Sequence, residues 1–382
     1  MKLCFLTHAF PPAQTAAASY SKNFVKELLS NGFEVVVITT TRNNETSAVE
    51  KSGDLTVYRI NLGLPIFSDF LEFMTKVSSI VGKVYEKESF DLTHSEHLYP
   101  AVYSGIFAKK HKIPHVVTIE GVSNVSPYSK MLFQLHKFLL PKISYDALVS
   151  WGRFVLENYF LKWGVDKSKC SVIPGAVDIN EFSPAVSGSE IKKKLVNREK
   201  LIFTAKPMYL TNALGISLII KAMKIVSNEN KNCKLIVGGT GRMLNRLVSL
   251  TKDLKLTEQV KFIGWVPQNK MPNYYKAADI IVDSFVFSHP GSVTALESLS
   301  SGTPNVLTEI ECLPGEVNVP TKDIAVLSKP SDPESIADGI LKLLNDVELG
   351  NKVGKNARKF IEKEFSVEKV TQSYMKLYEE LI

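Results

Sequence analysis

The 382-residue chain is predicted to fold as two doubly wound, Rossmann-like α/β domains whose parallel sheets face a common interdomain cleft. Three observations carry this. Apolar runs alternate with helix-period segments from end to end. The strand runs are continuous rather than alternating, as in FEVVVI at 33–38 and PHVVTI at 114–119, which is the pattern of strands covered on both faces and hence of a parallel sheet. A proline- and glycine-containing stretch, PGAVDINEFSP at 174–184 followed by polar VSGS at 186–189, breaks the series midway. Each half is long enough to bury a core of its own. Ligands of such sheets bind beyond the carboxyl ends of the strands, which places a cleft between the two.

Taken in order, strands are expected near 2–8, 34–40, 55–61, 91–95, 114–119, 146–151 and 170–174, with helices near 17–31, 69–87, 99–112, 127–140 and 153–163. After the break, strands are expected at 200–204, 233–239, 260–264, 279–283, 305–307 and 324–327. Helices lie between them, and two closing helices fill 350–382.

Composition narrows the possible functions. Apolar residues make up 45% of the chain and charged residues 22%, the balance of an ordinary globular protein with no collagen-like, mucin-like or prion-like bias. The net charge of +7 is spread over both halves and no nucleic-acid-binding motif accompanies it, so no nucleic acid partner is expected. Such a balance suits anionic small molecules, an anionic membrane surface or simple solubility. Cys4, Cys170, Cys233 and Cys312 have neither metal nor redox spacing and read as thiols of a reducing compartment. No metal or other cofactor is expected. The N-terminus turns polar too soon for a signal peptide, and no apolar run is long enough to span a bilayer, so the expected location is cytoplasmic.

The most informative stretch is HPGSVTALE at 289–297, continuing to SGTPNVL at 301–307. A buried strand at 280–284 leads through a loop into a helix that starts at Ser292 or Val293. The first amides of a helix have no intrahelical acceptor, so a strand, a flexible loop and a helix start together make a cradle for an anion. Glu297 falls just over one turn into that helix. A carboxylate beside a phosphate cradle suits a ligand with both phosphates and hydroxyls, such as a nucleotide-sugar. Without a ligand the same residue reads as a solvated acid favoured by the helix dipole.

Further segments accompany this one in a familiar order: FPP at 10–12 and NGFEVV at 31–36, VIPGAVD at 172–178 with FSP at 182–184, LIVGGTG at 235–241, VKFIGWV at 260–266, YKAAD at 275–279, and FS at 365–366 with Tyr374 and Tyr378. With these the chain resembles, over almost its whole length, the retaining GT-B glycosyltransferases of the family-4 kind (glycosyl transferases group 1). The resemblance implies a GT-B fold with an acceptor-binding domain at 1–184, closed by the terminal helix at 366–382, and a nucleotide-sugar-binding domain at 185–365. It implies a hexosyltransferase of polysaccharide or glycolipid synthesis, moving a hexose from a nucleotide-diphosphate sugar to a lipid-linked or glycan acceptor with retention. Glu297 would hold the ribose hydroxyls, and the amides of Gly291, Ser292, Val293 and Thr294 would meet the diphosphate. Trp265 and Val266 would border the base, although core packing accounts for Trp265 equally well.

The family pattern is altered at several positions. The first acid of its E-x7-E pair is His289 here, and the next residue, Pro290, has no N–H to offer. A histidine can still bond a sugar hydroxyl or, protonated, offset leaving-group charge. The family's arginine position is Lys206 and its lysine position is Leu214. One cation of two is left to stabilise the departing diphosphate, unless Arg242 turns in. The glycine pair near the diphosphate is Thr15 and Ala16, small enough for close backbone approach. The histidine after the central strand is Glu120, a carboxylate that could accept the acceptor's proton or stabilise charge at the anomeric carbon, or simply cap the next loop. The family's chemistry implies no protein nucleophile, only orientation and electrostatics. These alterations keep a second reading open, a catalytically degenerate GT-B protein that binds a sugar or nucleotide and regulates a partner. A dinucleotide-dependent oxidoreductase is disfavoured, because GGTG at 238–241 lacks the last glycine of that fingerprint.

Residues 128–142, YSKMLFQLHKFLLPK, form an apolar stretch edged with lysines. They read either as a surface helix dipping into an anionic bilayer, at the inner face of the cell membrane beside a lipid-linked acceptor, or as a core helix with snorkelling lysines. Residues 67–74 are a weaker second candidate.

Overall fold

The computed structural model describes residues 1–41, 48–62, 69–121, 127–284, 292–309 and 321–382. The chain divides into two compact units, Met1–Ala176 with Val367–Ile382, and Val177–Ser366.

In the first unit, strands β1 (Lys2–Leu6), β2 (Glu34–Thr41), β3 (Val49–Ser52), β4 (Leu55–Asn61), β5 (Leu92–Glu96), β6 (His115–Ile119), β7 (Ala147–Ser150) and β8 (Cys170–Val172) form one sheet in the order β3–β4–β2–β1–β5–β6–β7–β8. All neighbours run parallel except β3 with β4. The central strands are buried on both faces, which is why their apolar runs are continuous. Sequence periodicity misses β3 because Val-Glu-Lys-Ser is polar and exposed throughout, the composition of a protected sheet edge. A two-residue turn with Gly53 at φ +57 joins β3 to β4.

Helix α1 (Ala16–Ser30) begins at Thr15, whose side chain accepts a hydrogen bond from the Ala18 amide, and buries Phe24, Val25 and Leu28. It stops at Asn31–Gly32. Gly32 takes φ +79, and the amides of Gly32 and Phe33 bond back to the carbonyls of Leu29 and Leu28, a Schellman termination that accounts for the Asn-Gly-Phe string. Helices α2 (Asp69–Glu88), α3 (Leu98–His111) and α4 (Pro127–Leu139) follow. The helix expected at 153–163 is a short α5 (Arg153–Val155) continued as a π-helical turn over Leu156–Phe160 and a 3-10 turn over Leu161–Trp163.

In the second unit, strands β9 (Lys200–Ala205), β10 (Cys233–Gly238), β11 (Val260–Gly264), β12 (Ile280–Asp283), β13 (Asn305–Thr308) and β14 (Val326–Ser328) lie in the order β11–β10–β9–β12–β13–β14, parallel throughout. Successive residues feed two cores, one on each face. Ile202, Leu235, Val237, Ile280, Val282 and Val306 pack on one side, and Leu201, Phe203, Ile236, Ile281 and Leu307 on the other. Around the sheet stand α6 (Ser189–Leu195), α7 (Leu210–Glu229), α8 (Leu244–Asp253), α9 (Met271–Ala277), α10 (Val293–Ser300), α11 (Pro333–Asn345) and α12 (Val347–Glu364).

The division falls at Ala176, eight residues before the expected Pro184, and the physical cause is local. The Val177 amide bonds the Phe365 carbonyl at 2.9 Å, and Phe182 is a core residue of the second unit. Arg358 Nη1 donates to the carbonyls of Ile179, Phe182 and Ser300. The last helix, α13 (Val367–Glu379), belongs to the first unit. Its Tyr374 and Tyr378 are fully buried. The Tyr374 hydroxyl shares a 3.1 Å hydrogen bond with Thr118, and the Tyr378 hydroxyl one of 2.6 Å with His94 Nδ1.

Candidate active site

Each sheet has a point where the strand order reverses, and there the loops leaving two neighbouring strands part to leave a crevice. In the second unit this point lies between β9 and β12. Lys206 follows β9 and Asp283 closes β12. Their side chains form a buried ion pair, and Lys206 Nζ also donates to the Ser284 carbonyl at 3.4 Å. Burial lowers the Lys206 pKa while Asp283 pulls it back up. Lys206 is therefore neither an ordinary surface lysine nor an uncompensated cation. Gly215, beside the exposed Leu214, lets α7 approach the Ser284 carbonyl so closely that a Cβ would collide with it.

The loop after β10 packs backbone to backbone against residues 206–208. The Met208 amide bonds the Thr240 carbonyl at 2.8 Å, and the Met243 amide bonds that of Met208 at 3.1 Å. Gly239 at φ +119 and Gly241 at φ +153 each face a carbonyl of that neighbouring loop, so this glycine string serves close packing. Arg242 stands exposed at its end. Gly264 ends β11 at φ +75. Trp265 after it is 51% exposed, which rules out the core-packing account, whereas Val266 is a core residue.

Helix α10 follows β12. Its first intrahelical bond runs from the Leu296 amide to the Ser292 carbonyl, so the amides of Val293, Thr294 and Ala295 have no acceptor within the helix. No acid occupies the first turn, and the Ser292 hydroxyl pairs with that of Thr294 at 2.8 Å instead of capping. Glu297, one turn on, is only 2% exposed and thus not a solvated acid. Gln268 Nε2 donates to its Oε1 at 2.5 Å, and the Tyr275 hydroxyl to its Oε2 at 3.4 Å. Burial raises its pKa to about 8 against the pull of these two donors. Neither Gln268 nor Tyr275 stands out in the sequence as a partner of Glu297. Asp279 of the same motif is structural: it holds Lys192, Lys200 and the Leu201 amide. His289, Pro290 and Gly291 lie outside the described residues.

In the first unit the reversal lies between β1 and β5. Thr15 and Ala16 are at the start of α1, where the Thr15 hydroxyl is committed to the Ala18 amide at 3.1 Å. His8 follows β1, His97 follows β5 and Glu120 follows β6. The His8 and His97 rings meet edge to face at 4.4 Å, and His97 Nε2 stands 3.5 Å from Glu120 Oε1. Burial raises Glu120 to about 7. Next to it Glu96, which sequence reasoning missed, is buried and accepts from the Ser21 hydroxyl at 3.0 Å. Burial, reinforced by the Glu120 charge, raises it to about 8. Acids shifted in this way cluster at functional sites.

Among the described residues no group of three or more His, Cys, Asp or Glu is arranged to hold a metal ion, and no helix is long and apolar enough to cross a membrane. On α4, Phe133 packs against Tyr159 and Trp163, while Met131 and Phe138 are 55% and 61% exposed beside exposed Lys130, Lys137 and Lys142. Both faces of the helix are thus apolar, and one remains open. Of the second candidate, residues 67–68 lie outside the described residues.

Residues 17–181 match the model of Glycosyltransferase Family 4, and residues 188–360 that of Glycosyl transferases group 1. The chain is 25% identical over 397 residues to an uncharacterised glycosyltransferase of Methanocaldococcus jannaschii, covering 99% of this chain and 98% of the relative. It is 24% identical to the UDP-Gal:alpha-D-GlcNAc-diphosphoundecaprenol alpha-1,3-galactosyltransferase of Escherichia coli, over 87% and 88% of the two chains. Its fold matches sucrose-phosphate synthase of Thermosynechococcus elongatus with a TM-score of 0.86 at 18% identity, over 100% and 98% of the two chains. Two parallel-sheet units, the buried acid after an uncapped helix start, and family matches to each half together establish that the chain belongs to the GT-B glycosyltransferases.

Proposed function

We propose that the protein is a retaining hexosyltransferase that moves a hexose from a nucleotide-diphosphate sugar to a lipid-linked or glycan acceptor. One observation carries this reading: a buried carboxyl, Glu297, held by Gln268 and Tyr275 one turn behind three helix amides without intrahelical partners. The amides suit a diphosphate and the carboxyl suits ribose hydroxyls. Gly291 and Ser292 would complete the cradle, and the exposed Trp265 with Val266 would border the base. Lys206 would reach the diphosphate by exchanging Asp283 for a phosphate oxygen, and exposed Arg242 can supply a second positive charge. The reading assigns no metal or cofactor, because these groups already provide the positive field. On the first unit, Thr15 and Ala16 would border the diphosphate. Glu120 would act on the acceptor hydroxyl or on charge at the anomeric carbon, with His289 bonding a sugar hydroxyl.

The Escherichia coli relative, whose name specifies a UDP-hexose donor and a diphospholipid acceptor, supports a UDP-sugar and a lipid-linked acceptor here. The open apolar, lysine-edged face of α4 fits an anionic bilayer carrying that acceptor. The compensated state of Lys206 favours one competing reading, a GT-B protein that binds nucleotide without turning it over. Purified protein incubated with UDP-, GDP-, ADP- and dTDP-hexoses decides between them. Release of nucleotide supports the enzyme, and a raised melting point without release supports the binding protein. Neither response to any nucleotide refutes both.

A further inference from the structure

We propose that His97 is a positioning residue for Glu120, held in a backbone conformation that suits glycine so that its imidazole lies against the carboxyl group. The inference rests on the role of Glu120 proposed above. His97 has φ 70 and ψ 164, a region that essentially only glycine visits and that a side chain occupies at the expense of stability. His97 makes no side-chain cap for α3, and its Nε2 is buried with no hydrogen-bond partner. Glu120 Oε1 stands 3.5 Å from that nitrogen, and about a quarter of each side chain (25% and 28%) stays exposed. The pair therefore borders solvent at the point where the strand order reverses, where a ligand of such a sheet is expected. A catalytic hydrogen bond is often long before substrate binds, so a contact of this length is compatible with a working pair.

The surroundings fix what the pair can do. His8 after β1 touches the His97 ring, and Glu96 of β5 repels charge on Glu120. Tyr20 of α1 lies within electrostatic reach of Glu120, and His136 of α4 within reach of His97. Burial and, less strongly, the His136 imidazole lower His97 to about 4, while burial raises Glu120 to about 7. At neutral pH the imidazole is uncharged and can either donate to the carboxylate or accept from the carboxylic acid. It aims the carboxyl in both protonation states and covers part of it. Without the ring, more water reaches Glu120 and its pKa falls towards that of an ordinary carboxylate.

The test is His97→Gly and His97→Asn, Asn being among the non-glycine residues most often found at positive φ. Each is assayed for nucleotide release with the best donor among UDP-glucose, UDP-galactose and GDP-mannose. His97→Gly is expected to melt at or above the parent temperature while losing about tenfold or more in kcat with little change in donor KM. The acidic limb of its pH profile should move down by about one pH unit or more. His97→Asn should show the same loss of kcat. In a Glu120→Gln background, His97→Gly should produce no further loss. Parental kcat and pH profile in His97→Gly, with Glu120→Gln inactive, overturn the role of His97 alone. A fully active Glu120→Gln instead overturns the reading of Glu120 on which it rests. A melting point that falls in His97→Gly refutes the strained backbone, whatever the donor.

Discussion

Replacing Glu297 by Gln should make the protein more stable and less able to hold a nucleotide. The carboxyl is buried, and its pKa rises from 4.5 to about 8, so the folded state holds a proton that the unfolded chain releases. Folding stability is therefore undiminished below about pH 4.5 and declines as pH rises to about 8, where the decline is complete. With ~1.4 kcal/mol for each pH unit between the two values, the deficit at pH 7 is on the order of 3 kcal/mol. Glutamine cannot ionise, and its oxygen can still accept from Gln268. Its amide is poorly matched to the Tyr275 hydroxyl, which gives back about 1 kcal/mol. A net gain of about 2 kcal/mol at pH 7, vanishing near pH 4.5, is the expectation. Melting curves of both proteins from pH 4.5 to 9 measure it, and because Glu96 and Glu120 are common to both, the difference isolates Glu297. Calorimetry with UDP should show about a tenfold or greater loss of affinity, the value of a hydrogen bond to a charged group. In the parent, UDP affinity should rise with pH as the carboxyl ionises to receive ribose hydroxyls. Parallel melting profiles together with unchanged UDP affinity would refute both the buried acid and its role.

Three further outcomes follow from the geometry. Asp283→Asn strands the buried Lys206 ammonium and should destabilise the second unit by about 3–5 kcal/mol in urea at pH 7, a deficit that shrinks as pH rises and the lysine loses its proton. Phe138→Glu with Met131→Glu should abolish co-sedimentation with phosphatidylglycerol vesicles. It should leave stability within about 0.5 kcal/mol, because both side chains are largely exposed. Parental vesicle binding would remove α4 as the membrane contact. Tyr378→Phe deletes the buried hydroxyl bonded to His94 Nδ1 and should cost about 1–2 kcal/mol in denaturant unfolding. An unchanged midpoint would show that the bond contributes nothing net.

The fold was legible wherever one residue's chemistry dictated its surroundings. Strands such as β6 are apolar at nearly every position because both faces are covered, and the Asn31–Gly32 stop marks the end of α1 by its need for positive φ. The edge strand β3 has no apolar signature, being polar and exposed throughout, and it was not read from the sequence. The site was legible in the same measure. Glu297 and the helix it rides on are local features, adjacent in sequence. Gln268, Tyr275, Asp283 and His97 are not. Each reaches its partner through the lateral order of strands, as Asp283 reaches Lys206 because β12 is laid beside β9. Spacing along a chain carries no record of that adjacency. The strain at His97 is equally silent, since a histidine in sequence does not announce a glycine-like backbone.

The discontinuity of the first unit has a consequence for biogenesis. Its hydrophobic seam against α1 is completed by aromatic side chains near position 374, where Tyr374 meets Phe24 at 5.1 Å. A ribosome delivers those side chains only after the entire second unit has emerged. The usual order, in which the leading portion of a polypeptide matures first, is thereby inverted: the middle segment can reach its native form while the leading one waits with an open flank. Chaperone dependence and sensitivity to lesions in the last helix should be greatest for this waiting intermediate.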